Sequence, residues 1–464
     1  MINPSQDIFN SQKEYFQNKL RTTPIKSRLK KLKNLKAWIK TNEQLICEEI
    51  YKDFEKGEEE VLLTEIKPII DEIKQHLTYL EDWAETKSVS TPLAFLGSTS
   101  KVIYEPKGVT LIIAPWNYPF NLCIGPLVSA IGAGCTAIIK PSEHTPNTSN
   151  LIERMISELF DKKEVSVVQG EVEKTTELLK LPFDHIFFTG SPKVGKIVMT
   201  AAAKNLTSVT LELGGRNPTI VDETANLKDT AQKIVWGKFV NSGQTCIAPN
   251  YIYVHESQAQ KLKEKLIEQI EIQYPILDLT RTKIVNEMHF NRLSELLETT
   301  ISSGGNVLHG GKKDKSINFL SPTLLDNITI ESPIFQEEIF GPILPILTYS
   351  NLEEVIETIN ETEKSLALYL FSKSRKNKKY ILGNTSSGTT AINETTIQFA
   401  QPNLPFGGVN HSGIGKAHGE YGFLEFSNQR SVLKQRVGFT NLKLVIPPYT
   451  NFKKKLIRFI SFWL

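Results

Sequence analysis

The strongest constraint on this chain is an alternation, from residue 101 onward, of short apolar runs with amphipathic ones. In GVTLIIAP and TAIIK nearly every side chain is apolar, as expected of strands buried on both faces of a parallel sheet. VSVVQG, DHIFFTG and SVTLELGG repeat the pattern. An apolar stretch over residues 121–134 and a helical pattern over 146–160 lie between them. Strands alternating with helices predict a parallel, doubly wound α/β sheet. Such sheets bind ligands beyond the carboxyl ends of their strands. A second alternation opens at Asn217-Pro218, where TIVD, YIYVHE, SLALYLFSK and GTTAIN read as strands and Leu227–Phe239 as a helix.

At 464 residues the chain is too long for one ordinary domain. Residues 19–40 and 43–73 read as helices, basic and then acidic, and the plain reading of both charge runs is a solvated face. Residues 401–430 are rich in Gly, Asn and aromatics, too irregular for a third core, and should pack across the other two units. The net charge of +3 gives no reason to expect nucleic acid as a partner. Cys47, Cys123, Cys135 and Cys246 form no CxxC pair and the histidines have no zinc-ligand spacing, so neither a disulfide framework nor a metal is expected. The polar start lacks the apolar run of a signal peptide, and no window reaches the roughly 18 apolar residues that span a bilayer. A reducing, cytoplasmic location is the expectation.

Several short segments carry chemistry. NSGQTC, residues 241–246, puts Cys246 in a small, polar loop after a helix, where a thiolate can meet a carbonyl. The other three cysteines sit in apolar or helical stretches and read as core. LELGG ends an apolar strand on Glu212. An apolar setting raises a carboxyl pKa toward neutrality, which suits a general base, although a paired structural carboxylate fits the pattern equally well. In PWNYPF, Asn117 can donate its amide to a developing oxyanion or serve as a turn residue between prolines. IIKPSE sets Lys140 and Glu143 just past a strand end, where they can meet ribose hydroxyls. FTGSPKVGK reads as strand, turn and helix start, with backbone amides that suit a pyrophosphate. QEEIFGP is an acidic, aromatic turn able to grip a nicotinamide ribose. PFGGVNHSGIGKAHG is a loop that must approach a ligand or another backbone. Tyr118, Trp236 and Phe399 are aromatics that line a substrate tunnel or fill the core.

Together PWNYPF, KPSE, FTGS, LELGG, NSGQTC, EEIFGP and PFGG, in this order over nearly the whole chain, resemble the aldehyde dehydrogenase superfamily. The late start, WGKFVNSGQTC, and HSGIGKAHGEYGF followed by IPPY resemble its class 3 branch, which includes fatty aldehyde dehydrogenases. The resemblance implies two doubly wound α/β units with a small bridging and oligomerisation region. The Rossmann-like NAD-binding domain would cover residues 1–80 and 101–213, the catalytic domain 214–400, and the bridging region 81–100 and 401–435. A basic and then apolar tail, 436–464, completes the chain.

By the same resemblance, Cys246 would be the nucleophile, Glu212 the base for the deacylating water, and the Asn117 side chain with the Cys246 N–H the oxyanion site. NAD, or alternatively NADP, would be held by Trp116, Lys140, Glu143, Gly190, Ser191, Gly195, Glu338 and Phe340. The substrate would be a medium- or long-chain aliphatic or an aromatic aldehyde, and the assembly a homodimer. A CoA-acylating reductase shares the fold and the cysteine but has no need of Glu212. A cysteine hydrolase lacks the dinucleotide motifs, and a purely structural protein has no use for the three polar residues. From Lys434 onward the chain carries seven basic residues and no acidic one, and it ends LIRFISFWL. That ending suggests peripheral contact with the inner membrane face or packing on the partner.

Overall fold

A computed structural model of the chain describes residues 4–275, 281–438 and 440–463. Its first sheet runs, edge to edge, Gly413–Ile414, Ser208–Leu213, His185–Gly190, Val109–Ile113, Thr136–Lys140 and Val165–Val167. All neighbours are parallel except Gly413–Ile414, which pairs antiparallel with Ser208–Leu213. Val109–Ile113 and Thr136–Lys140 are buried at every position, which is why they read as unbroken apolar runs. Helices Ile25–Thr41, Lys67–Ala84, Asn121–Ala133 and Pro146–Leu159 cover one face. Phe9 and helix Pro192–Ala203 cover the other. Strand order reverses between Val109–Ile113 and His185–Gly190, so a crevice opens beyond their carboxyl ends, the usual ligand position in such sheets.

The second sheet runs Asn306–His309, Thr323–Asp326, Ile343–Tyr349, Tyr251–His255, Pro218–Val221, Ala367–Phe371 and Thr389–Ile392. Only its first pair is antiparallel. The fold is thus mixed α/β with two Rossmann-like sheets, as the alternation predicts. A third, antiparallel sheet joins Lys87–Val89, Ser98–Pro106 and Ser427–Gln435. Its longest pairing leaves no mark on the apolar pattern, because SNQRSVLKQ is exposed along most of its length and lacks the signal of a core strand. The Ser98–Pro106 strand also crosses the expected boundary at residue 100.

The amino-terminal helices depart from expectation in two ways. The acidic stretch is broken at Gly57 and again by a π-turn, Leu62–Ile66. Pro68, just beyond, has no N–H to donate to the carbonyl of Thr64. Several of its charges are also buried rather than solvated: Lys56 and Glu65 are fully enclosed and bonded at 2.8 Å, and Glu72 is buried as well.

Candidate active site

Cys246 is delivered by a strained turn. Helix Leu227–Phe239 ends, and Asn241 (φ 55°), Ser242 (φ 51°) and Gly243 (φ 71°) then follow in left-handed conformation. At Gly243 a Cβ would overlap the carbonyl of Gly341, so glycine is required there. The turn is held by side chains from distant segments. Glu60 Oε1 accepts from the Asn241 N–H at 2.7 Å and from Thr282 Oγ1 at 3.1 Å. Asn241 Nδ2 donates to the Asn117 carbonyl at 2.8 Å, and Asn117 Nδ2 donates to the Gln244 carbonyl at 3.0 Å. Gln244 itself donates to the carbonyls of Asn241 and Lys283 and accepts from the Val285 N–H, each at 3.0 Å. Behind Asn117, Tyr118 bonds Thr245 Oγ1 at 2.5 Å and stacks under the Lys56 ammonium at 4.1 Å.

Two cavities meet at Cys246. The larger, of about 560 Å³, occupies the crevice between the sheets and is lined by Trp116, Gly190, Ser191, Glu338 and Phe340 among others. The smaller, of about 50 Å³, is walled by Leu122, Phe187, Leu366, Phe399, Phe406 and His418. Thr189, Glu212 and Cys246 border both.

Glu212, next to last in its strand, has neither carboxylate oxygen hydrogen-bonded, and burial pushes its carboxyl well above the ordinary range. Burial likewise pushes the Cys246 thiol up to about 12, with the Glu338 and Glu212 charges acting in the same direction. The backbone N–H groups of Cys246 and Ile247 face the sulfur and oppose them. Glu338 accepts from the Gly215 N–H at 3.1 Å and is raised by burial to about 7. Phe340 holds a left-handed φ of 49° and meets Trp116 edge to face at 5.4 Å. A Cβ on Gly190 would lie 2.5 Å from the Phe188 ring, so the strand exit stays bare. Ser191 caps helix Pro192–Ala203, its Oγ accepting from the Val194 N–H.

Of the residues singled out from sequence, Cys246, Glu212, Asn117, Trp116, Gly190, Ser191, Glu338 and Phe340 therefore line one cavity. Lys140 and Glu143 pair with each other at 3.1 Å beyond that lining. Gly195 is buried one turn into its helix, where a Cβ would press on Leu213 at 2.8 Å, so its small size serves helix-on-strand packing. Phe399 lines the smaller cavity, whereas Tyr118 is buried behind the turn and Trp236 borders neither cavity. Sequence reasoning misses Glu60 and Gln244. Gln244 stands inside the polar motif, but Glu60 is hidden in a run of three glutamates.

A profile of the aldehyde dehydrogenase family matches residues 6–432. The chain is 44% identical over 452 residues to the 4,4'-diaponeurosporen-aldehyde dehydrogenase of Staphylococcus aureus, covering 97% of each. It is 40% identical to the dimeric NADP-preferring aldehyde dehydrogenase of Mus musculus, covering 93% of each. Among solved structures, a substrate-bound state of Staphylococcus aureus AldH superposes with a TM-score of 0.95 at 43% identity, over 99% of this chain and 100% of that one. A Mycobacterium tuberculosis aldehyde dehydrogenase complexed with NAD+ superposes at 0.85 with 25% identity, over 94% of this chain and 91% of that one. The glyceraldehyde-3-phosphate dehydrogenase GapN of Methanocaldococcus jannaschii, complexed with NADP, does so at 0.84 with 26% identity, over 93% and 94%. The chain belongs to the aldehyde dehydrogenase family and is an oxidoreductase that converts aldehydes to carboxylic acids.

Proposed function

We propose that this chain oxidises apolar aldehydes, aliphatic or aromatic, through a thioester on Cys246, with Glu212 as the base that releases the acid. The observation that carries the reading is the placement of Cys246 and Glu212 between a roomy cavity and a narrow apolar one. The larger cavity fits a dinucleotide: a bare Gly190 at the strand exit, a helix N-terminus at Ser191 and a buried acidic side chain at Glu338. Trp116, Gly190, Ser191, Glu338 and Phe340 would hold NAD there, with Lys140 and Glu143 toward its adenosine ribose. The negative charge of Glu143 disfavours a 2′-phosphate, so NAD is preferred over NADP. Oxidised nicotinamide, when bound, supplies the two-electron acceptor and a positive charge.

The chain supplies the rest. Cys246 Sγ passes its proton to solvent and adds as the thiolate to the aldehyde carbon, its own and the Ile247 N–H opposing the burial that holds the thiol up. Asn117 Nδ2 has one hydrogen engaged by Gln244 and a second left for the oxyanion, beside the Cys246 N–H. Oxidation leaves an acyl group on sulfur. Glu212, unpaired and raised by burial, takes a proton from water, and hydroxide displaces the thiolate to give the carboxylic acid.

The apolar cavity adjoins a second of about 110 Å³ that reaches Leu63, Lys67 and Pro402, and the two share Glu72, Asn121, Gly125, Phe399 and His418. This continuity supports a substrate with an extended apolar body. A panel of aldehydes graded by chain length, each with NAD and with NADP, tests the assignment. Highest kcat/KM on short, hydrophilic aldehydes would overturn the substrate class. Glu212→Gln should give a burst of NADH with little turnover and a thioester visible by mass spectrometry, slower in decay by roughly 10²–10⁴-fold.

Two further readings concern assembly. Among the described residues the small sheet leaves Ser427–Gln435 unpaired on one side, an edge suited to a second copy, so we read the assembly as a homodimer. Within the tail, helix Asn451–Trp463 spans about 20 Å, less than the roughly 30 Å of a bilayer core. Among the described residues no helix is long and apolar enough to cross a membrane. The exposed Phe452, Phe459 and Phe462, beside Lys453, Lys454 and Lys455, support peripheral contact with anionic lipid. The side chain of Trp463, and Leu464, lie outside the described residues. Sedimentation with anionic liposomes should require the segment after Tyr449.

A further inference from the structure

Glu212 is approached by charges from several elements. Lys416 and Glu425 come from the glycine-rich loop and the helix after it. Cys246 comes from the catalytic turn, Glu338 from beyond Gly214, and Glu72 and His418 from the wall of the apolar cavity. Lys193, His289, Arg292 and Glu337 stand further round the larger cavity. His418 is neutral at pH 7, because burial pushes it down to about 4. Within the near group Lys416 is the only cation.

The backbone brings it there. Gly413 pairs with Glu212 and Ile414 with Leu211, so the loop passes directly beside the carboxylate-bearing strand. Lys416 Nζ donates to the carbonyls of Gly407 at 2.6 Å and Gly408 at 3.1 Å. Its backbone N–H donates to Glu425 Oε1 at 3.0 Å, and Glu425 Oε2 accepts from Thr210 Oγ1 at 2.6 Å, two residues before Glu212. Gly407 is the meeting point. A Cβ there would stand 2.8 Å from Glu212 Oε1 and 3.1 Å from Lys416 Cδ, so only a bare glycine lets the lysine chain and the carboxylate share that space.

We infer that Lys416 is a positioning residue: it supplies the counter-charge for the Glu212 carboxylate and thereby sets the pH at which deacylation switches on. The inference rests on the reading of Glu212 as the deacylating base. Burial drives the carboxyl toward its neutral form, and Lys416 is the group that opposes burial. The ammonium bonds to backbone carbonyls rather than to the carboxylate, so its influence runs through space. Only ionised Glu212 accepts a proton from water. Removing the cation raises its pKa and moves the acid limb of deacylation to higher pH.

The test follows acyl-enzyme decay and NADH burst amplitude against pH in the full chain and in Lys416→Met, Lys416→Arg and Glu212→Gln. Lys416→Met should shift the acid limb upward by about one pH unit or more, an approximately tenfold slower decay below the limb, with the burst preserved. Lys416→Arg, which keeps the charge, should restore the limb to near its original position. An unmoved limb in Lys416→Met, an equal shift in Lys416→Arg, or a burst lost at every pH would each overturn the counter-charge role. If Glu212→Gln deacylates at the original rate, the base assignment itself fails, whatever Lys416 does.

Discussion

Replacing Glu60 by Ala should slow the first chemical step, although Glu60 touches neither cavity's contents. Its carboxylate is the partner of the Asn241 N–H at 2.7 Å and of Thr282 Oγ1 at 3.1 Å. Hydrogen bonds to a charged group contribute about 1.5–3 kcal/mol each, and an orphaned buried N–H costs about 1–3 kcal/mol. Against this, Asn241 and Ser242 sit in left-handed conformation, which stores about 1–3 kcal/mol apiece. The restraint and the strain are of similar size, so loss of the restraint lets the turn relax. Cys246 then moves relative to Asn117, and a displacement near 1 Å costs about 10²-fold in rate. The assay is the rate of the NADH burst, read beside hydrogen exchange at the Asn241 amide. Glu60→Ala should slow the burst about 100-fold and expose that amide, whereas Glu60→Gln, still an acceptor, should stay within about tenfold. A Glu60→Ala burst at the native rate, with the amide still protected, would refute the argument.

Further outcomes follow from the same geometry. With its thiol near 12, free Cys246 should react with iodoacetamide at a rate set by a thiolate fraction of about 10⁻⁵ at pH 7, rising tenfold per pH unit. A plateau below pH 9 would contradict the raised thiol, and Glu338→Gln should accelerate the reaction. Lys56→Met strands the buried Glu65 carboxylate and should lower stability to urea by about 3–5 kcal/mol, while the further change Glu65→Gln should recover much of the loss. Phe399→Ala widens the apolar cavity and should raise kcat/KM for branched or bicyclic aldehydes by about tenfold, leaving the KM for NAD unchanged.

The sheets were legible because buried parallel strands must be apolar on both faces, as Val109–Ile113 and Thr136–Lys140 are. The Cys246 turn and Glu212 stood out because glycines and polar residues interrupt apolar runs there. What surrounds them was not. Glu60 meets Asn241 across 181 residues, and nothing in GEEEV distinguishes the one glutamate that turns inward from its two exposed neighbours. Lys416 acquires its place only when Gly413 pairs with Glu212. The Ser427–Gln435 strand escaped notice because backbone pairing, not apolar burial, holds it in its sheet.

Thr189, Glu212 and Cys246 are the only described residues that border both cavities. On the proposed assignment of the smaller cavity to the aldehyde and the larger to the coenzyme, the two specificities would be uncoupled in sequence space. Under that assignment, changes at Phe399, Phe406 or Leu366 would remodel the choice of aldehyde without touching Gly190, Ser191 or Phe340, and the reverse would hold for the coenzyme. Divergence can therefore proceed one mutation at a time along either axis, through intermediates that keep a working centre.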